Sequence, residues 1–302
     1  MRDAMFGNDS QTGLSRRRLL QAAGGGAVAA IAGSVGAPSR AEEAASKPVE
    51  RKGNVKQAIC KGCLKKMPLE EMAKECVRLG VKGIDLQRPD SWEVLKKYGL
   101  VGTMTPTHGL AKGLNQKENH EECLAVIRQS IEATAQAGYP NVICFSGNRA
   151  PGLTDEEGLA NCAQALKQVV GLAEQKGVTL CMELLNSKVN HKGYMCDHTA
   201  WGVELCKQVG SPNFKLLYDI YHMQIMEGDI IRTLTDNIQY IGHIHTAGVP
   251  GRHELDDTQE LYYPAIMRAL VKAGYKGYVA HEYSPVREPI PSLEQALAAC
   301  DV

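Results

Sequence analysis

From Val55 onward, short apolar runs of six or seven residues alternate with longer segments whose apolar positions recur every three to four residues. The first pattern predicts strands and the second predicts amphipathic helices. Strands are expected at Val55–Cys60, Val81–Leu86, Leu100–Pro106, Asn141–Ser146, Val178–Glu183, Phe214–Asp219, Tyr240–His245 and Gly277–Glu282. Between them, Pro68 opens a helix with Met72, Cys76 and Leu79 on its apolar face, and Trp92–Tyr98 forms a short one. A third spans about 117–137, with Cys123, Val126, Ile127 and Ile131 on one face. Thr154 and Glu157 form a capping box for a helix running to Lys176 and stopped by Gly177. Further helices are expected over about 199–209, 229–236 and 260–273, and a last one after Pro291-Ser292.

Strands alternating with helices signal a parallel sheet with helical crossovers, and eight such units predict a single-domain (β/α)8 barrel. An open doubly wound sheet would carry a Gly-rich loop after its first strand, where Cys60-Lys-Gly-Cys63 stands instead.

Four of the strand runs end on a carboxylate or an imidazole: Glu183, Asp219, His245 and Glu282. The steps between them are 36, 26 and 37 residues, about one strand–helix–strand unit each. A barrel gathers these ends at one mouth, where its active sites lie. Three carboxylates and one imidazole make a divalent-cation site, with Mn²⁺ or Mg²⁺ expected first and Co²⁺ or Zn²⁺ as alternatives. Glu183 and Glu282 are the pair available for proton transfer. Moving a carbonyl along an α-hydroxy carbonyl takes a proton from one carbon and returns it to the next. The enediolate between them needs a Lewis acid. His222 and Arg252 are candidate substrate ligands, with Asn186, His108 and Glu254 weaker ones; His281, beside Glu282, should point the other way.

The first 41 residues read as an export leader. Arg16-Arg17-Arg18 precedes a Gly/Ala-rich apolar stretch too short and mild for a stable membrane span, and Ser39-Arg40-Ala41 offers a cleavage site. This resembles a twin-arginine signal, implying passage through the Tat translocase and a periplasmic destination. Residues 42–52 read as a linker and 53–302 as the barrel. Removing the leader takes five of 34 basic and two of 34 acidic residues, leaving 29 against 32, a net charge of −3. That balance argues against nucleic acid as a partner. Of the ten cysteines, Cys144 and Cys181 fall in predicted strands and Cys76, Cys123, Cys162 and Cys206 in predicted helices, where cysteine behaves as a small buried apolar residue. Cys60 and Cys63 are expected in an end-of-strand turn, with a disulfide between them left open.

The runs Ser146-Gly-Asn-Arg149, Glu183-Leu-Leu-Asn186, Tyr218-Asp-Ile-Tyr-His-Met-Gln224, Gly248-Val-Pro-Gly-Arg-His-Glu254 and His281-Glu282-Tyr283 carry a resemblance. Over about residues 55–300 the chain resembles the xylose-isomerase-like barrels, within them the hydroxypyruvate isomerase branch. The resemblance implies a divalent ion and an aldose–ketose type proton shift on a small sugar or keto acid. Histidine at 245 is closer to the sugar epimerases, and Cys60-Lys-Gly-Cys63 departs from the apolar wall of cytoplasmic hydroxypyruvate isomerases. The expected activity is therefore isomerisation or epimerisation of an unphosphorylated hydroxy-carbonyl compound. A keto-sugar lyase or dehydratase and a non-catalytic sugar-binding barrel are the alternatives. A DNA-repair phosphodiesterase would need many more histidines.

Overall fold

The computed structural model describes residues 48–302. The predicted leader and the first linker residues lie outside them. Eight strands, β1 (Lys56–Cys60), β2 (Gly83–Asp85), β3 (Val101–Gly102), β4 (Asn141–Cys144), β5 (Thr179–Leu184), β6 (Phe214–Asp219), β7 (Ile241–Thr246) and β8 (Tyr278–His281), form one parallel sheet. Its order is β3-β2-β1-β8-β7-β6-β5-β4. The two ends of that order meet at a parallel bridge between Thr105 and Val142. There Thr105 N–H donates to Asn141 O (2.9 Å) and Ile143 N–H to Thr105 O (3.0 Å). The protein is a single (β/α)8 barrel, as the alternation predicted.

The surrounding helices are α1 (Leu69–Arg78), α2 (Trp92–Lys97), α3 (His120–Ala137), α4 (Asp155–Leu166) and α5 (Val170–Lys176). They continue with α6 (Thr199–Val209), α7 (Ile220–Met226), α8 (Ile230–Asp236), α9 (Tyr263–Lys272) and α10 (Pro289–Ala299). Their apolar stripes pack on the outer face of the sheet. Met72, Cys76, Trp92, Leu293 and Leu297 cover β1 and β2, and a larger cluster runs from α3 around to α9. No helix among the described residues is long and apolar enough to cross a membrane.

Three expectations needed revision. The helix predicted from Thr154 to Lys176 is two, because the chain leaves helical geometry before the paired β-branched Val169 and Val170; the Thr154–Glu157 capping box is present. β3 is two residues rather than seven; Pro106, which has no N–H to give a sheet, lies within the expected run. An unexpected helix, α7, starts directly after Asp219, whose Oδ1 accepts the His222 N–H at 3.2 Å and caps it.

All ten cysteines are free and buried. Cys60 precedes a single turn of tight helix, Lys61–Leu64, that contains Cys63, with Cys63 Sγ 3.2 Å from His281 O and no bond between the two sulfurs. Burial pushes the Cys63 thiol up to about 12.

Candidate metal centre and cavity

Parallel strands place their C-terminal residues on one rim. β5, β6 and β7 deliver Glu183, Asp219 and His245, and Glu282 follows β8 by one residue, tied to β7 by its N–H on Thr246 O at 2.9 Å. One side-chain donor atom from each of the four lies within 4.8 Å of the others. His245 Nδ1 is 2.9 Å from Glu282 Oε2 and 3.5 Å from Glu183 Oε1. Asp219, spending Oδ1 on its helix cap, turns Oδ2 toward the cluster.

Sequence reasoning missed Asp85, at the end of β2. It is fully buried, and its Oδ2 accepts a hydrogen bond from His245 Nε2 at 2.8 Å. Oδ1 accepts from the Thr103 hydroxyl and lies 3.2 Å from His243 Nε2. Against the effect of burial, the two histidines hold the Asp85 carboxyl well below the usual carboxylate range. Because Nε2 donates to Asp85, the other nitrogen is the one turned to Glu183, Asp219 and Glu282.

The donor set tests well against a divalent cation. His245 Nδ1 is buried among three carboxylates yet makes no hydrogen bond to any of them. One imidazole nitrogen with carboxylate oxygens suits Mn²⁺, Mg²⁺ or Co²⁺. Without a cation, Glu282, Asp85 and Glu183 overcome burial and raise His245 well above its ordinary range, so a proton and a cation compete for Nδ1. The two glutamates are set apart: burial pushes Glu183 up to about 7, while beside Glu282 the charges of His245 and Arg252 outweigh burial and hold it at about 2.

Arg252, in the loop after β7, has φ +60°. A side chain in that left-handed region costs about 1–2 kcal/mol. Its Nη2 donates to Glu282 Oε2 at 2.6 Å and Asp219 Oδ2 at 3.3 Å, and the guanidinium lies over the Tyr221 ring. Arg252 thus compensates the negative charge of the cluster in this fold.

Beside the cluster opens a cavity of about 330 Å³, lined by Glu183, Glu282, Arg252, His108, His191 and Phe145, among others. This is the size of a small-metabolite site. His108 stands at its wall, edge-on to Phe145, with Nδ1 near two backbone carbonyls. His191, unremarked in the sequence, lines the same space. His222 is fully buried, its ring centroid 5.2 Å from that of His191. Asn186 does not line the cavity: its side chain is consumed by hydrogen bonds to His222, Asn190 and the backbone of residues 189 and 190. Glu254 ties loops together, its Oε1 accepting from the N–H groups of Val286 and Arg287. His281 points outward to Gln57 and Thr246, as alternation predicted.

The Ser146–Arg149 run is architectural. Arg149 bonds Asp155, Asp197 and Tyr194 O, and Ser146 Oγ accepts from Cys196 N–H. Gly147 has φ +92°, and a Cβ on Gly113 would sit 2.2 Å from its nitrogen, so two mouth loops cross there through glycines.

The profile of the xylose isomerase-like TIM barrel family matches residues 73–301. The chain belongs to that family. Among curated relatives of the barrel, a 2-oxo-tetronate isomerase of Cupriavidus necator is 42% identical over 113 residues, 37% of this chain and 43% of that protein. The hydroxypyruvate isomerase of Escherichia coli is 29% identical over 165 residues, 55% of this chain and 63% of its own length. The chain thus spans less than two thirds of the length of either relative. Two solved structures share the fold. The AP endonuclease, family 2, from Brucella melitensis superposes with TM-score 0.70 at 22% identity, covering 79% of this chain and 96% of its own. The 3-keto-D-glucoside 4-epimerase from Escherichia coli gives 0.66 at 20%, covering 81% and 98%.

Proposed function

We propose that this barrel is a divalent-metal-dependent isomerase or epimerase acting on a small unphosphorylated hydroxy-carbonyl compound, a keto acid such as hydroxypyruvate or a related keto-sugar. The observation that carries this reading is the convergence of Glu183 and Glu282 with Asp219 and His245 beside a cavity of small-metabolite size. The names of the relatives support the isomerase class.

A divalent ion held by Glu183, Asp219, His245 and Glu282 would supply charge stabilisation to the substrate oxygen that becomes anionic. The chain's own residues do the rest. In the ion-free fold burial raises Glu183 to about 7; with the ion bound its carboxylate is free to take a proton from carbon and return it. Glu282 stays a carboxylate at that pH, held by His245 and Arg252. Arg252, His191 and His108 line the cavity with polar groups, and the apolar faces of Phe145 and Leu185 limit the size of what enters, with His222 buried beside Asp219. On the strength of the leader, we further propose that the reaction takes place in the periplasm.

The test is incubation with hydroxypyruvate and a panel of keto-sugars in deuterated water, with Mn²⁺ or Mg²⁺ added, followed by mass analysis. Isomerisation or epimerisation keeps the carbon skeleton and oxygen count and brings in solvent deuterium. A product lighter by one water would replace the isomerase reading with a dehydratase. Absence of deuterium from every compound, with the ion bound, would leave a binding protein.

A further inference from the structure

The hydrogen bonds around Asn186 determine which nitrogen of His222 carries the proton. A backbone N–H can only donate, and two of them, from Val189 at 3.0 Å and Asn190 at 2.9 Å, point at one atom of the Asn186 amide. That atom must be the oxygen. The NH₂ group therefore faces the other way, where it meets Asn190 Oδ1 at 2.8 Å and His222 Nδ1 at 2.6 Å. Asn190 Oδ1 also receives the Tyr221 hydroxyl at 2.8 Å, which fits its role as an acceptor. With an amide N–H directed at it, His222 Nδ1 must offer a lone pair, so the ring proton sits on Nε2. Among the described residues that Nε2 has no hydrogen-bond partner: it is buried and stands 3.6 Å from Asp219 Oδ2, beside the carboxylate cluster.

We infer that Asn186 is a positioning residue that locks His222 as a neutral Nε2–H donor, leaving one unspent N–H beside the carboxylate cluster, where the proposed reaction would place a substrate oxygen. The protonation site follows from the hydrogen bonds alone; its use in turnover rests on the isomerase reading above. His222 is then a donor and not a base, and the proton transfers stay with the glutamates. A preorganised donor at an oxygen that gains charge contributes without reorganising during the reaction. The rings of His191 and Tyr221 pack edgewise on the imidazole, their centroids 5.2 and 5.1 Å from its own, and keep it from turning over.

The experiment is nitrogen-15 NMR of histidine-labelled protein with Mg²⁺, the His222 signals being assigned by their loss in His222→Asn. Wild-type His222 should show an N–H signal at Nε2 and a bare nitrogen at Nδ1; the opposite pattern overturns the lock, whatever any variant does. Asn186→Asp keeps an oxygen for the two loop amides and swaps the donor facing Nδ1 for an acceptor. The proton should then move from Nε2 to Nδ1 and kcat should fall about 10²-fold, a loss of the size seen for one missing oxyanion donor, with KM changed less. Asn186→Asp that leaves the nitrogen signature unaltered also overturns the lock. Unchanged kcat in a variant whose proton has moved from Nε2 to Nδ1, leaving Nε2 bare, refutes the use of His222 as a donor. A wild type with the Nε2–H signature but no turnover on any substrate supports the lock and counts against the isomerase reading alone.

Discussion

Asp85 Oδ2 and His245 Nε2 are 2.8 Å apart at the bottom of the mouth, joining the end of β2 to the end of β7 across the barrel. The contact decides which face of the imidazole meets the three carboxylates, and it does so from a strand that contributes nothing else to the cluster.

Asp85→Asn should therefore weaken divalent-ion binding about 10–100-fold, the range typical when a partner behind a ligating histidine is removed. The other atoms of the cluster remain in place. Calorimetric titration of Mn²⁺ into wild type and variant measures it, and equal affinities would show that His245 is oriented by packing alone.

Glu183→Gln and Glu282→Gln retain shape and an oxygen but cannot accept a proton. Each should cost about 10²–10⁴-fold in kcat, while the circular dichroism spectrum stays native. Asp219→Ala and His245→Ala should behave differently, recovering part of their activity in excess ion because they lose affinity before chemistry. Near-normal kcat in either glutamine variant would take that residue out of the proton path.

Ion binding should strengthen as pH rises through about 7. Glu183 in the ion-free fold holds its proton up to that point, because burial raises it from the ordinary carboxylate value, and the proton must leave before the oxygen can ligate. The sign for stability runs the other way. A carboxyl raised in the folded state contributes stability fully present below its unfolded value and lost as pH rises through the folded one. Glu183 should thus make the ion-free protein less stable across that window, and added Mn²⁺ should restore it. Thermal melts at several pH values with and without Mn²⁺ check both, and an ion-induced shift that shrinks with rising pH would contradict the assignment.

Replacing Arg16 and Arg17 by lysine should hold the precursor inside the cell, since a receptor that reads paired arginines does not accept charge alone. Cell fractionation of both forms decides it; equal export would refute the twin-arginine reading.

The four strand-end residues were legible because each ends an apolar run, and a barrel leaves such residues nowhere to go but the mouth. Asp85 obeys the same rule but was hidden by Leu86, which prolongs the apolar pattern past the strand's true end; the chain leaves the sheet there with Leu86 at φ +55°. The inward reach of Arg252 depends on a left-handed residue that no periodicity encodes. Asn186 was readable as a polar residue near the site, but its occupation by four hydrogen bonds depends on the turn at residues 186–190, which has no strand or helix signature. Local patterning thus specified which side chains arrive at the mouth, and the loops decided how they are used.

The seam between β3 and β4 gives the barrel an uneven wall. Its neighbours share several ladder bonds, whereas here a single bridged pair closes the circle, aided by Thr134 and Asn141 side chains. Thr107 and His108 leave from that seam to form one side of the cavity, opposite the well-paired β5, β6 and β7 that present three of the four cluster residues. Amide exchange should be fastest on the seam side. The fixed half of the mouth then governs the chemistry, and differences in ligand length are taken up by the half with fewer backbone ties.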